Sequence, residues 1–390
     1  MHEPTVLYAG LLEGVPQLFA QHSDRSLDDA VVVRAPGRLN LLGEHTDYNG
    51  GFVLPIAIDR STIVVAAPAG ERVRVWSEAK QEQDVFDPRD PQRDDERTWA
   101  NYVRSVVWAL GALEVDVAGA DLLITGDLPM GAGVSSSAAL ETAAALAFLH
   151  LAGRELPARA LALLCQRAEN EFVGVHCGIM DQFTVGLAQE GHALLLDCLS
   201  LEARDVPLAG DSPVFFVCDT AKPRTLAASA YNRRREECEQ AARHFGQEHL
   251  RGVTAEMLAA GQDALDETVY RRCRHVLSEN ARVLEAVEVM AQGDWTRFGV
   301  LLGESHASLR DDYEVSCREL DVMCELAERH AGCLGARMVG AGFGGCAMAA
   351  VRRDATAGFA ETVGEAYRQA TGLEPRVFPV QAAGGATVLE

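Results

Sequence analysis

The stretch Leu128-Pro-Met-Gly-Ala-Gly-Val-Ser-Ser-Ser-Ala-Ala-Leu-Glu141 carries the residue types of an anion site. Gly131 and Gly133 permit a backbone approach that a Cβ would block, and Ser135, Ser136 and Ser137 stand where a helix N-cap is expected. Beyond them, Ala138 to Phe148 is apolar on nearly every face, which predicts a buried helix. Free N–H groups and the positive end of the helix dipole make such an N-terminus a binding place for phosphate, and one of the hydroxyls could reach a metal ion. Taken locally, the same residues could equally serve close packing and capping alone.

A second group sits in Gly37-Arg-Leu-Asn-Leu-Leu-Gly-Glu-His-Thr-Asp-Tyr-Asn-Gly-Gly51, where Arg38, Asn40, Glu44, His45 and Asp47 fall within ten residues, interleaved with apolar positions. Two carboxylates and an imidazole suit the hydroxyls of a neutral polyol or sugar. They would repel a carboxylate or a phosphate, and Arg38 is the one cation among them. Further on, Val175-His-Cys-Gly-Ile-Met-Asp-Gln-Phe183 sets Asp181 among apolar neighbours. A carboxylate there needs a partner, whether as a structural hydrogen bond or as a general base. Glu169 and Glu171, on the preceding helical run, have the oxygen chemistry of magnesium ligands and, taken alone, read as solvated helix charges.

These groups need elements to hold them. An amphipathic helix is expected around Val15 to Phe19, and Val31 to Pro36 is β-branched and reads as a strand. Asn49-Gly50-Gly51 before the apolar run Phe52 to Ile58 is a hairpin-turn signal, placing the acceptor-rich group at a hairpin tip. Thr62 to Ala67, Arg72 to Trp76 and Asp121 to Thr125 read as strands, the last leading into the glycine-serine turn. Trp99 to Leu110 is a helix whose Trp99, Tyr102 and Val106 share a face; Trp99 there is core or a platform for a base. Gly153 ends the alanine-rich helix, and Pro157 opens the next, which stops near Gly174.

Composition shifts at the Pro- and Asp-containing connection Leu199 to Ser212, which divides the chain into units 1–205 and 206–390. In the second unit Val214 to Cys218 reads as a strand, and a long basic helix follows Lys222 with Tyr231 near its start. Helices are expected over Leu277 to Gln292, Trp295 to Leu309 and Val315 to His330. Met338-Val-Gly-Ala-Gly-Phe-Gly-Gly-Cys346 contains a formal G-x-G-x-x-G, but Cys346 to Val351 after it reads as a strand rather than a helix. A glycine loop joining two strands fits better than a dinucleotide site.

The 390-residue chain has 48% hydrophobic residues and a net charge of −22, length and core enough for two or three domains and a balance that argues against nucleic acid or an anionic membrane as partner. It has no run of 18 apolar residues and no secretory pattern at its start, so a cytoplasmic protein is expected. The ten cysteines show no C-x-x-C spacing, which suggests neither a zinc site nor a disulfide framework. Lysine occurs only at Lys80 and Lys222, and neither lies in a Walker A loop or a V-A-I-K strand.

Three separated motifs resemble the GHMP small-molecule kinases: Gly37 to Gly51, similar to the signature of the galactokinase branch; Pro129 to Ala138, similar to the phosphate-binding motif; and Gly340 to Cys346, similar to the third, glycine-rich motif. Gly178 to Gln182, Ser229 to Arg235 and Glu304 to Tyr313 resemble further segments of that branch. The resemblance implies an α/β (α+β) fold of two domains, the first like domain 2 of ribosomal protein S5 and the second ferredoxin-like. It implies transfer of the ATP γ-phosphoryl group to the anomeric hydroxyl of galactose, with ATP and Mg2+ as cofactors; a kinase for N-acetylgalactosamine or arabinose, or a non-catalytic galactose sensor, are the alternatives. It places Glu44, His45, Thr46, Asp47, Gly178 and Tyr231 on the sugar and Gly131, Ala132, Gly133, Val134, Ser135, Ser136 and Ser137 on the ATP phosphates. Ser137 and Glu169 would hold magnesium, Trp99 would lie near adenine with Ser77 as a further nucleotide contact, and Asp181 and Arg38 would carry the chemistry. Val134 and Ala341 depart from the family's usual Leu and Gly. The sequence sets no oligomeric state, and a monomer is the default expectation.

Overall fold

The structure, a computed structural model, describes residues 9–389 except 130, 132, 209 and 224–226. Ala132, an expected phosphate contact, therefore lies outside the described residues. The first half begins with helices α1 (Ala9–Leu12) and α2 (Val15–His22), the latter burying Val15 and Phe19, as its pattern predicts. Strands β1 (Val31–Asn40), β2 (Phe52–Val53), β3 (Pro55–Pro68), β4 (Val73–Ser77) and β5 (Glu82–Phe86) follow, then α3 (Asn101–Gly111), β6 (Ala120–Gly126), α4 (Ser136–Leu151), α5 (Ala158–Arg167), α6 (Met180–Leu187), β7 (His192–Asp197) and β8 (Glu202–Pro207). The second half adds β9 (Val214–Asp219), α7 (Ala227–His244), α8 (Ala255–Ala260), α9 (Glu267–Ala291), α10 (Trp295–Asp311), α11 (Arg318–Glu328), β10 (Cys333–Met338), β11 (Cys346–Val351), α12 (Phe359–Thr371), β12 (Arg376–Val380) and β13 (Thr387–Leu389).

Among the described residues the strands form three sheets, with strand orders β13-β1-β3-β6-β4-β5, β10-β11-β9-β12 and β2-β7-β8. The chain's last strand pairs with β1, Val32 opposite Leu389, so the C-terminal end returns to the first sheet. The expected division at 205/206 falls inside β8, because Glu202–Pro207 pairs antiparallel with β7 instead of forming a free connection.

β1 and β3 form the long antiparallel hairpin that the sequence suggests, but β1 continues past Pro36 through Asn40, with a register shift between Pro36 and Arg38. Proline has no N–H for the ladder, and a bulge is where a strand tolerates that loss. The bulge keeps Arg38 in the strand. Asn49-Gly50-Gly51 is not the hairpin turn: Asp47–Asn49 is a 3-10 turn closed by left-handed Gly50, inside a 14-residue excursion between Asn40 and Pro55.

α4, apolar around most of its circumference, packs on β1 and β3 and buries Ala138, Ala139, Ala143, Ala144, Ala145 and Ala147. In the second half, β9 alternates its faces. Phe215 and Val217 join a cluster with Leu39 of β1 and Leu301 of α10, while Phe216 and Cys218 join another with Leu320 of α11 and Phe359 of α12. The first of these cores spans both halves of the chain. It fixes the loop between β1 and β3 against α9 and α10.

Candidate active site

A cavity of about 640 Å3 opens where the loop after β1, the turn before α4, the start of α6, α7 and the β10–β11 loop converge. Arg38, Glu44, His45, Asp47, Trp99, Gly131, Gly133, Ser135, Ser136, Ser137, Glu169, Gly178, Asp181 and Tyr231 all line it, so the structure gathers most of the expected site residues in one place. Thr46, Ser77 and Val134 are not among its lining. Buried Thr46 instead places its hydroxyl 2.8 and 2.7 Å from the carbonyls of Gly43 and Phe52, which shapes the loop. Ser77 is buried at the end of β4, with its hydroxyl accepting from the Lys80 N–H at 3.4 Å. Val134 packs in the core, and its carbonyl accepts from the Arg38 backbone N–H at 3.0 Å.

Arg38 joins the two ends of the cavity. Its Nε donates to Asp181 Oδ1 at 2.9 Å, and its Nη1 donates to the Gly133 carbonyl at 2.5 Å. One guanidinium therefore touches both the α6 carboxylate and the glycine-serine turn. That turn is left-handed at Gly131 and Gly133, with φ of 74° and 84°. The reason for glycine at 131 is conformation rather than crowding, since a Cβ there would meet no described protein atom within 4 Å. Ser135 is the N-cap of α4, but it too is left-handed (φ 62°) and makes no side-chain cap. N-caps sit in the extended region, from which Oγ reaches back to the first turn; from the left-handed region Ser135 Oγ stays buried and without a partner among the described residues.

The loop after β1 is held from the far half of the chain. Glu44 Oε1 accepts from the Gly340 N–H at 2.8 Å and from Arg337 Nη2 at 3.1 Å. Arg337, in β10, also donates to the carbonyls of Leu41 and Asn40 at 2.8 and 2.6 Å. From α9, Glu279 accepts the Gly43 N–H at 2.9 Å, Asn280 accepts the Phe52 N–H at 2.8 Å, and His275 Nε2 meets the Glu44 carbonyl at 3.1 Å. Sequence reasoning missed all four of these supports. Arg337 left a trace, a single cation within an apolar strand, whereas Glu279 and Asn280 sit in an ordinary amphipathic helix.

Carboxylates crowd the cavity. Burial first and the Asp181 charge second push the Asp47 carboxyl up to about 7, and the same two causes raise Glu169 to about 7. Gly178 gives Asp47 its place, because a Cβ on Gly178 would lie 1.8 Å from Asp47 Oδ2. Glu169 belongs to a π-helical turn, Ala168–Val173, and accepts from Gln182 Nε2 at 2.8 Å. The Ser137 side chain lies near enough to Glu169 to offset part of that rise. Trp99 is half-buried at the cavity's other end, its ring N–H donating to Glu82 Oε2 at 2.7 Å. Gly340 and Ala341 line the cavity too, and their loop joins antiparallel β10 and β11 as the sequence suggests.

This two-domain arrangement, with a helix N-terminus facing a carboxylate–arginine pair, defines a small-molecule kinase of the GHMP class. Family models for the GHMP kinases N terminal domain and the GHMP kinases C terminal match residues 101–189 and 284–369, and the galactokinase galactose-binding signature matches residues 17–68. The chain is 47% identical over 373 residues to a galactokinase of Roseiflexus sp., covering 94% of each chain, and 44% identical over 385 residues to one of Chloroflexus aurantiacus, covering 97% and 96%. A crystal structure of Lactococcus lactis galactokinase complexed with galactose superposes with a TM-score of 0.92 at 36% identity, covering 97% of this chain and 99% of that one. The mevalonate kinase of Methanococcus jannaschii shares the fold at a TM-score of 0.65 and 17% identity, covering 90% and 98%. The chain belongs to the galactokinase family of GHMP kinases, and as such it is a sugar kinase. No helix among the described residues is long and apolar enough to cross a membrane.

Proposed function

We infer that the chain is an ATP-dependent galactokinase. It transfers the γ-phosphoryl group of ATP to the C1 hydroxyl of D-galactose and yields galactose 1-phosphate and ADP. The sugar sits against Glu44, His45, Asp47, Gly178 and Tyr231. The ATP phosphates lie along Gly131 to Ser137, with the base toward Trp99. The observation that carries this reading is the double reach of Arg38, 2.9 Å from Asp181 on one side and 2.5 Å from the Gly133 carbonyl on the other. With Asp181 as the base for the sugar hydroxyl and the glycine-serine turn as the phosphate cradle, the two would stand within one side chain of each other.

In the reaction, the C1 oxygen forms a bond to the γ-phosphorus as the bond to the β–γ bridging oxygen breaks. Asp181 takes the hydroxyl proton, Arg38 stabilises charge on the transferring group, and the N–H groups at the start of α4 orient the phosphates. Magnesium bound mostly by phosphates and water takes only one or two protein oxygens, and Ser137 with Glu169 suits that demand. When bound, the ion neutralises phosphate charge.

ADP release with ATP, Mg2+ and D-galactose, run beside glucose, N-acetylgalactosamine, L-arabinose and mevalonate, tests this. Turnover with galactose and not with the others is the expected result. Turnover with a different sugar alone would overturn the substrate, and sugar and ATP binding without turnover would favour a sensor.

A further inference from the structure

His45 is buried, 4% exposed, and lines the cavity beside Glu44, Asp47 and Asp181. Its Nδ1 begins a chain of close polar contacts that leads away from the cavity: 2.8 Å to the Tyr48 hydroxyl, 2.7 Å from there to the Tyr313 hydroxyl, and 3.1 Å on to Cys238 Sγ. The Tyr48, Tyr231 and Tyr313 rings pack around the imidazole at centroid distances of 5.9, 5.5 and 4.8 Å and leave it little freedom to turn. Nε2 forms no hydrogen bond of good geometry among the described residues, although the Ala341 backbone lies near enough to pull the ring's pKa upward.

All four groups are neutral. Burial first and His275 second lower His45 to about 3, burial holds the Tyr48 and Tyr313 phenols well above their ordinary value, and it pushes the Cys238 thiol up to about 11. Each link then needs one donor and one acceptor, and with each hydroxyl donating to one neighbour and accepting from the other, the chain points one way throughout. If protons run toward His45, the thiol donates to Tyr313, Tyr313 to Tyr48 and Tyr48 to Nδ1; if they run away, Nδ1–H donates and Nε2 keeps a lone pair. Two arguments choose the first direction. A phenol is the stronger acid and an imidazole nitrogen the better acceptor, so O–H to N is the favoured link. The open end faces carboxylates, and an N–H there is attracted where a lone pair is repelled. A backbone group that raises an imidazole's pKa is likewise an acceptor, a carbonyl.

We propose that the Cys238–Tyr313–Tyr48 relay fixes His45 in its Nε2–H tautomer, so that His45 offers the sugar a hydrogen-bond donor between the acceptors Glu44 and Asp47. Tyr48, Tyr313 and Cys238 are thus positioning residues for sugar recognition. The functional half of this proposal rests on the galactokinase reading. A sugar hydroxyl opposite the ionised Glu44 or Asp47 carboxylate must donate, and one opposite His45 must accept, so the site reads the direction of each hydroxyl as well as its place.

The test is an imidazole 15N–1H correlation on the ligand-free protein labelled at histidine, with His45→Gln to identify the resonances. The expected result is a protonated Nε2 and an acceptor-type Nδ1. Tyr313→Phe removes the donor to Tyr48 and should turn the His45 signal into a tautomer mixture, with galactose KM rising about five-fold and kcat within about two-fold, as for one lost neutral hydrogen bond. Cys238→Ser keeps a donor and should behave as the unmodified protein. A protonated Nδ1 in the unmodified protein, or a Tyr313→Phe variant with unchanged tautomer and KM, would overturn the relay. The tautomer is read without turnover, so failure of galactose as substrate would sink the galactokinase reading separately.

Discussion

Around Glu44, the loop after β1 is gripped from residues some 230 to 300 positions away in sequence: Glu279, Asn280 and His275 on α9, and Arg337 and Gly340 beyond them. Around Ser135, the contacts among the described residues tie the turn before α4 to β1 through Arg38, whose N–H and guanidinium reach the carbonyls of Val134 and Gly133. The buried Ser135 hydroxyl has no partner among the described residues. On the function proposed above, the sugar-facing side is thus preorganised by tertiary hydrogen bonds, and the phosphate-facing side by local backbone and the helix dipole. A neutral polyol has only direction and distance to be recognised by, so its acceptors must be held still. A polyanion is drawn to any cluster of free N–H groups, and the turn needs less support.

Asp181 stands where the two sides meet, and its substitution should have the largest effect. Asp181→Asn is expected to lower kcat by about 10²–10⁴-fold while calorimetry still shows galactose and ATP binding. A variant with near-normal kcat would remove Asp181 as the base and leave Arg38 acting directly on the sugar hydroxyl.

Arg337→Met attacks the long-range support. Arg337 is 0% exposed and its partner Glu44 2%, so the change leaves a buried carboxylate facing one backbone N–H and little else. A loss of about 3–5 kcal/mol in urea unfolding is expected, because breaking one side of a buried ion pair strands the other. A loss below about 1 kcal/mol would mean that the grip from β10 contributes little and the two sides are less different than their contacts suggest.

The same contrast explains what could be read from the chain alone. The Gly131–Ser137 turn and the buried α4 are local features, and their residue types announce them. Arg38, Glu44, Asp47 and Asp181 are visible as chemistry out of place, whereas Arg337, 293 residues beyond Glu44, leaves only the trace of a lone cation in an apolar strand, and pairing across two domains leaves no spacing that names its partner. Local signals also misled. Asn49-Gly50-Gly51 has hairpin-turn composition, yet the β1–β3 hairpin closes at Asn40 and Pro55, leaving the glycines to a 3-10 turn within the loop. Ser135 has N-cap composition and stands at the N-cap, yet its left-handed backbone turns the hydroxyl away from the helix.

Gly178→Ala tests the sugar side alone. The new methyl would fall on Asp47 Oδ2, 1.8 Å away before relaxation, and displace that carboxylate. Galactose KM should rise on the order of 10²-fold, the scale of a misplacement of about 1 Å, while ATP KM stays within about two-fold. An equal rise in both constants would show the two sides to be coupled.

The smallest effect is a proton. Glu169 and Asp47 both sit at about 7 in the ligand-free protein, raised by burial and by Asp181. Carboxyls raised above their unfolded values stabilise the fold fully only below about pH 4, and that contribution is lost as pH rises through the folded value. Unfolding free energy should therefore decline between about pH 4 and 7, and Asp47→Asn and Glu169→Gln should each flatten the slope. The two acids part company on binding. If Glu169 serves the metal side, Mg2+ with ATP expels its proton, and calorimetry in buffers of different ionisation enthalpy near pH 7 should register a release of up to about one proton. Glu169→Gln should abolish that release and Asp47→Asn should leave it. Release that survives Glu169→Gln would take the metal away from this carboxylate and leave the phosphate side to Ser137 and the helix terminus alone.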